Sequence, residues 1–327
     1  LYSDGVFVGL KNFVSYVTTP SLFRSVGNSL GVAALTTLIV VPIAFAYAYA
    51  LTRSTMPAKG FFYSTALVPL FAPSLLPAIA LIYFFGNQGF LKSWMLGGTI
   101  YGPVGIVMAE VFYCFPHALT ILIAALRLAD ARLYEAADAL GASRGRIFFT
   151  VTLGGAKYGL ISAIVVVFTL VITDFGIPKV IGGQFSVLAT DVYKQVMGQQ
   201  NFEMGAVVGV ILLIPAVVAF FVDRVAQRRQ VALLSARAVP SQPKPRPWRD
   251  RAALAVCLVV SFIFLSVLGR AVWASVVTYW PYNLALTLRH YVFENADSSG
   301  WQPFFNSLTV AAYTALFGTM VIFFGAY

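Results

Sequence analysis

The sequence predicts an all-α protein that crosses a membrane several times. Of its 327 residues, 59% are hydrophobic and only 10% are charged, and the mean hydropathy is +0.83. Soluble domains carry about 25% charged residues, because their surfaces must be covered with groups that water solvates. This composition therefore excludes an ordinary water-soluble globular domain.

Seven apolar runs are long enough to cross a bilayer. A spanning helix needs about 20 apolar residues, because its backbone groups must be hydrogen-bonded within the segment. The runs lie at residues 29–52, 61–86, 101–126, 158–178, 205–224, 253–280 and 304–327. The second run contains Pro69, Pro73 and Pro77 at fourfold spacing, which predicts three kinks on one helix face. A gating hinge is the alternative to fixed kinks.

The loop charges predict the orientation of the spans. Lys and Arg are enriched on the cytoplasmic side of membrane proteins. Fifteen of the 22 Lys and Arg residues lie in, or directly beside, loops 53–60, 127–157 and 225–252, which we expect inside. Residues 1–28, 87–100, 179–204 and 281–303 are expected outside. Because the net charge of +10 lies in these loops, it does not indicate a nucleic-acid partner.

An internal repeat divides the chain. At an offset of 278 residues, the Leu-Lys-Asn-Phe at 10–13 aligns with the Leu-Arg-His-Tyr at 288–291, and Asn-Ser-Leu recurs at 28–30 and 306–308. We therefore expect a duplicated chain of which this is a fragment, beginning without methionine and ending within an apolar run. The predicted domains are a first unit at 1–238 without its first helix, a proline-rich cytoplasmic linker at 239–252, and the truncated start of a second unit at 253–327.

The cytoplasmic loop between the third and fourth runs predicts an amphipathic helix. One helical face carries small and apolar side chains, and the adjoining edge is polar. The apolar face consists of Leu133, Ala136, Ala137 and Leu140, and the polar edge of Arg132, Glu135 and Asp138. Gly141 suits the left-handed position that ends such a helix. A helix of this kind can present its exposed side to a partner, although an ordinary connecting loop is the alternative.

The same loop resembles the EAA loop of binding-protein-dependent ABC importer permeases. That pattern is Glu-Ala-Ala, three residues, Gly, nine residues, then Ile-x-Leu-Pro. The matching positions are Glu135, Ala136, Ala137 and Gly141, with Val151 and Leu153 at the Ile and Leu positions and Gly154 in place of the proline. We expect Gly154 to remain a helix breaker.

The resemblance implies an ABC importer permease fold with about six helices per unit. It further implies that the loop docks on a cytoplasmic ABC ATPase dimer. Glu135 would make polar contacts with the ATPase, Ala136 and Ala137 would permit close approach, and Gly141 would make the turn. A periplasmic substrate-binding protein and the lipid bilayer of the bacterial inner membrane are the other implied partners.

The outer segments resemble two kinds of double permease, those for ferric iron and those for 2-aminoethylphosphonate. The resemblance lies in the fused double unit and in the segments 174–178 and 188–193. The stretches 179–183 and 193–196 resemble the phosphonate group more closely. The favoured substrate is therefore 2-aminoethylphosphonate, and ferric iron is the alternative.

A polar stripe lies within the third run. A carboxylate in hydrocarbon costs at least about 2.5 kcal/mol, so Glu110 is expected to face protein or water. Tyr113 and His117 follow at i+3 and i+7 and share its helix face. The stripe lines a translocation path or makes structural hydrogen bonds. Asp174, near the outer end of the fourth run, is expected to make a helix-end contact.

The sequence contains no pattern for covalent chemistry. A Gly-x-x-x-x-Gly-Lys-Ser/Thr phosphate loop is missing, so ATP hydrolysis is expected from a separate subunit. Two histidines and the well-separated Cys114 and Cys257 provide neither a catalytic triad nor a metal site, and no cofactor is expected. An ion-coupled secondary transporter is the main rival, with Glu110 as its ionisable group, and a membrane-bound enzyme is more distant.

Overall fold

The computed structural model describes residues 2–3, 6–7, 9–128, 130–232, 243–293 and 299–326. Two compact units are distinguished, Leu1–Arg270 and Ala271–Tyr327. Almost all described secondary structure is helical, and the four short strands form two hairpins. The predicted all-α class is confirmed.

Helices and strands follow one another in a simple order. The first unit contains β1 (Tyr2–Ser3), β2 (Val6–Phe7), α1 (Lys11–Thr18), α2 (Pro20–Arg53), α3 (Lys59–Leu67), α4 (Leu75–Phe85), α5 (Pro103–Arg127), α6 (Ala131–Ala139), α7 (Arg144–Ile147), α8 (Leu153–Thr173), α9 (Gly176–Ile181), α10 (Leu188–Tyr193) and α11 (Phe202–Ala232). Next comes α12 (Pro247–Val276), which ends in the second unit. That unit adds β3 (Val277–Tyr279), β4 (Asn283–Leu286), α13 (Gln302–Tyr313) and α14 (Thr319–Ala326).

Six helices in the described ranges are long and apolar enough to cross a membrane. They are Leu22–Arg53, Pro103–Arg127, Arg144–Thr173, Phe202–Arg228, Pro247–Val276 and Gln302–Ala326. Each overlaps one of the predicted runs. The helix Arg144–Thr173, which corresponds to the fourth predicted run, begins earlier than the predicted residue 158.

The second apolar run is broken rather than kinked three times. Its two halves, Lys59–Phe71 and Leu75–Phe85, are bent by 102°. The break follows from Pro73, whose ring keeps the preceding residue out of the helical region, and Ala72 accordingly has a ψ of 138°. Pro69 and Pro77 each lie near the start of a helical segment, where a missing amide is tolerated. The prediction of three equivalent kinks is therefore wrong.

The core of the first unit consists of α2, α5, α8 and α11. Fully buried alanines, including Ala33, Ala109 and Ala163, let these helices approach closely. Larger side chains fill the remaining space. The rings of Tyr47 and Phe115 pack edge to face, with centroids 5.5 Å apart. The Tyr47 hydroxyl donates a hydrogen bond to the Phe62 carbonyl oxygen, which ties α2 to α3.

The loops meet at two opposite polar ends. At one end, Arg53 Nη2 donates to the Leu126 carbonyl oxygen at 2.6 Å, and Asp250 Oδ1 accepts from the Thr55 amide at 3.0 Å. At the other end, Asn28 Nδ2 donates to the Ser186 carbonyl oxygen at 2.8 Å. Loops assigned to the same side by their charge therefore lie together, and which side is cytoplasmic stays a prediction.

The second unit contains the β3–β4 hairpin and a helix formed by α13, a π-helical turn at Thr314–Gly318, and α14. The 278-residue offset aligns this helix with α2. Helix α12 begins at Pro247, inside the range predicted as linker, while residues 239–242 of that linker lie outside the described residues. The division into repeat units remains a prediction.

Gly105 provides a test of the packing. A β-carbon at this position would overlap the Ile100 carbonyl oxygen and the Ile181 side chain, whereas one at Gly31 would meet nothing within 4 Å. We expect Gly105→Ala to destabilise the protein by about 1–3 kcal/mol, because the buried site has no room. Thermal unfolding in detergent measures this. Gly31→Ala, in the exposed part of α2, is the matched control, and equal melting temperatures for the two variants would contradict the packing.

Candidate functional site

The loop after α5 forms a capped helix. The Asp130 carboxylate accepts a hydrogen bond from the Arg132 amide at 3.0 Å and caps the start of α6. At its end, the amides of Gly141 and Ala142 donate to the carbonyls of Asp138 and Ala137, both at 3.0 Å. Gly141 has a φ of 70°, which only glycine adopts without strain. The predicted left-handed turn at Gly141 is confirmed.

The apolar face of α6 is exposed. Leu133 is 56% exposed and Leu140 86%, and Phe149, in the turn that follows α7, is 67% exposed. Glu135 and Ala136 are also exposed, and Ala137 is half-buried. None of the α6 residues is buried against the described parts of the chain. Exposed leucines at the polar end of a membrane protein mark a surface suited to a protein partner.

Tyr134 anchors α6 to three spans. Its hydroxyl donates to Thr152 Oγ1 at 3.1 Å, next to the start of α8. The guanidinium of Arg53, at the end of α2, lies 4.9 Å from the centre of its ring. Arg53 also donates to the carbonyl of Leu126 near the end of α5. Sequence reasoning missed Arg53, Tyr134 and Thr152, and only the position of Tyr134, about 100° around the helix from Leu133, hinted at an anchor.

After the turn at Gly141, a continuous helical path leads from α7 into the span that contains α8. Ser143 caps α7, a π-helical turn at Phe148–Thr152 follows, and α8 begins at Leu153. Val151 and Leu153 are half-buried, and Gly154 lies inside the helix. The predicted helix break at Gly154 is wrong, because a single helical glycine costs only about 1 kcal/mol and the apolar run around it favours the helix.

Glu110 is completely buried in α5. Cys114 Sγ donates to Glu110 Oε2 at 3.7 Å, and the Asp174 carboxyl lies close enough to interact with it. Asp174 Oδ2 also accepts from the Ile177 amide at 2.8 Å, at the start of α9. The predicted helix-end role of Asp174 is confirmed. Glu110 therefore connects α5 with the corner between α8 and α9.

The other two members of the predicted stripe contact each other. The rings of Tyr113 and His117 have centroids 5.7 Å apart, and both residues are half-buried. The structure thus divides the stripe into an acidic contact and an aromatic one. Its place on a translocation path stays a prediction. The part of the chain that is described contains no group of three or more His, Cys, Asp or Glu side chains suited to a metal ion.

Known proteins that are similar to this chain are named as permeases of transport systems. Residues 39–231 match the family of binding-protein-dependent transport system inner membrane components. The ferric transport system permease protein FbpB of Actinobacillus pleuropneumoniae is 22% identical over 99% of this chain and 50% of its own length. A Haemophilus influenzae relative, provisionally named for the same substrate, is 22% identical over 99% of this chain and 54% of its own. This chain thus spans about half the length of both.

A third relative is shorter. The molybdenum transport system permease protein ModB of Escherichia coli is 31% identical over 164 residues, which are 49% of this chain and 72% of that protein. Among solved structures, a bacterial ABC transporter that imports the acidic polysaccharide alginate matches with a TM-score of 0.55 at 15% identity, over 69% of this chain and 85% of that one. This likeness concerns the fold. Since the family match covers more than half of the sequence, the chain belongs to the binding-protein-dependent transport system inner membrane components, a family of multi-pass permeases.

Proposed function

We propose that this chain is the transmembrane permease of an ATP-driven, binding-protein-dependent importer, and that α6 is the helix on which the ATPase docks. The observation that carries the proposal is the exposed apolar face of α6, held at the basic end of the bundle by Tyr134. The permease itself makes and breaks no covalent bonds. A separate cytoplasmic ATPase dimer hydrolyses ATP, and a periplasmic protein delivers the solute to the outer loops.

The contacts of α6 suggest how closure of the ATPase reaches the spans. Glu135 is exposed and available for a charge-assisted hydrogen bond with a basic group of the ATPase. The small side chains of Ala136 and Ala137 allow close approach. A shift of α6 moves Tyr134, and through it the ends of α2 and α8. Val151 and Leu153 lie on the helical path that carries the shift into the membrane, where alternating access follows.

The three residues of the polar stripe have different roles in this proposal. Tyr113 and His117 are half-buried and remain accessible to a solute that passes along α5. Glu110 is completely buried beside Cys114 and Asp174. We assign it to holding the α8–α9 corner rather than to contacting the solute.

For the substrate, two candidates remain. Ferric iron is favoured by the relatives that align with 99% of this chain, one named for ferric transport and one provisionally so. The second candidate, 2-aminoethylphosphonate, rests on the resemblance of segments 179–183 and 193–196 to phosphonate permeases. Neither of those two relatives is named for a phosphonate. Specificity in such systems rests largely with the binding protein.

Docking on α6 can be tested by cross-linking. We expect a cysteine at Ala137 in the full-length permease to cross-link with the co-expressed ATPase, because this half-buried position adjoins the exposed Ala136 and Leu140. The native Cys114 and Cys257 are buried and do not compete. Gln199→Cys, at an exposed position predicted outside, is the control and should give no product. If Ala137→Cys gives no cross-link although transport is intact, an ion-coupled transporter becomes the better explanation.

The turn after α6 offers a matched pair of variants. Gly141→Ala is expected to strain the left-handed turn by about 1–2 kcal/mol and to loosen α6. Gly145→Ala lies four residues away, in right-handed helix with nothing within 4 Å of the added carbon. The first variant should reduce transport per ATP hydrolysed several-fold in proteoliposomes, and the second should not. Equal transport yields for the two would exclude a role of this turn in coupling.

The substrate can be identified by measuring how the loaded binding protein stimulates ATP hydrolysis. We expect the assembled transporter to respond to the binding protein encoded beside it when that protein is loaded with ferric iron. Loading with 2-aminoethylphosphonate is the parallel experiment. If one ligand raises the rate of ATP hydrolysis at least several-fold over that with the unloaded binding protein, that ligand is the substrate. If neither ligand does so, both candidates are excluded, and the docking proposal is unaffected.

A further inference from the structure

A basic cleft opens at the cytoplasmic end of the first unit. It has a volume of about 430 Å³ and lies between the end of α2, helices α6 and α7, and the segment that leads into α12. Its cationic lining residues are Arg53, Arg144, Lys244, Arg246 and Arg249. Glu135 and Asp138 are the acidic ones. Arg249 pairs with Asp250 at 2.9 Å, so the other four cations outnumber the two lining carboxylates.

Arg53 is the buried member of this cleft. It is only 7% exposed, and one nitrogen of its guanidinium donates to Leu126 while the ring of Tyr134 lies beside it. Its Nε is buried and has no hydrogen-bond partner among the described residues. A buried cationic donor that lines a basic cleft is stabilised by an anion.

An apolar groove adjoins the cleft. It has a volume of about 600 Å³ and lies between α2 and α8, within the spans. Its lining includes Leu38, Val41, Phe45, Ile164 and Phe168. Phe148 lines both the groove and the cleft. Its ring centroid lies 6.1 Å from that of Phe45 in the groove and 5.9 Å from that of Tyr49 in the cleft.

We propose that the cleft and the groove together bind an anionic phospholipid of the inner leaflet. The phosphate lies against Arg53, Lys244 and Arg246, and an acyl chain occupies the groove beyond Phe148. Basic pockets on the cytoplasmic side, between membrane helices, are suited to anionic headgroups. A free phosphate would leave the groove unused, and so would a carboxylate of a protein partner. The proposal is independent of the importer function.

The consequence is a lipid that connects separate parts of the chain. Arg53 belongs to α2, Arg144 to α7, and Lys244 and Arg246 to the segment before α12. One bound phosphate neutralises the cations of α2 and of the segment before α12 and reduces their repulsion with the nearby Arg144. Occupancy is therefore expected to stabilise the cytoplasmic end as a whole.

The test uses the full-length permease, purified in detergent and stripped of lipid. Phosphatidylglycerol is expected to raise its melting temperature, whereas phosphatidylcholine with the same acyl chains and inorganic phosphate alone should have little effect. The double variant Lys244→Gln/Arg246→Gln should weaken the response to phosphatidylglycerol about tenfold in concentration. Both residues lie outside the buried core, so this variant avoids the folding risk of replacing Arg53.

Two further variants complete the design. Arg251→Gln removes a nearby exposed charge that does not line the cleft, and its response should equal that of the wild type. Ala34→Trp fills the groove and should reduce the response to the long-chain lipid. Equal stabilisation by both lipids would overturn the proposal, as would equal stabilisation by phosphate alone. So would loss of lipid binding in the assembled transporter, which would assign the cleft to the ATPase.

Discussion

The basic end of the helices in the first unit depends on the burial of one guanidinium. Arg53 lies at the end of the first span with 7% of its surface exposed, so its charge must be satisfied by neighbouring groups. It donates a hydrogen bond to the carbonyl oxygen of Leu126 and lies over the face of the Tyr134 ring. The hydroxyl of the same tyrosine reaches Thr152. Three spans and the amphipathic helix α6 are thereby joined at one point.

The exposure of the α6 leucines is a consequence of this contact. Tyr134 contacts the spans, and the helical period places Leu133 and Leu140 about 100–120° away from it around the helix axis, on the exposed side of α6. Burying a leucine side chain contributes about 1.5–3 kcal/mol, so a partner that covers both leucines gains binding free energy from each of them. The interaction that holds α6 on the spans thus also determines which side it offers. In the proposed mechanism, docking on α6 and transmission to the spans both follow from this contact.

Hydropathy predicted the positions of most spans, because a helix in lipid must be apolar over about 20 residues and must satisfy its own backbone hydrogen bonds. The cap at Gly141 was also predictable, since left-handed backbone requires glycine. The break at Pro73 and the unbroken helix at Gly154 were not, because a residue's helix-breaking tendency is a small energy that surrounding packing reinforces or overrides. The contacts Arg53–Tyr134 and Glu110–Asp174 join residues that are far apart in the sequence, so the periodicity of a single segment could not predict them.

Helix α5 is the fixed element between the two polar ends. Near its inner end Leu126 accepts from Arg53, and towards its outer end Glu110 lies against Asp174. A movement that enters through α6 and α8 must therefore be absorbed where α8 stops. Asp174 is extended, with a ψ of 132°, and separates α8 from α9 while capping the latter. The corner at Asp174 can change direction without breaking the hydrogen bonds within α8, so in the proposed mechanism it is the position that converts an inner displacement into an outer opening.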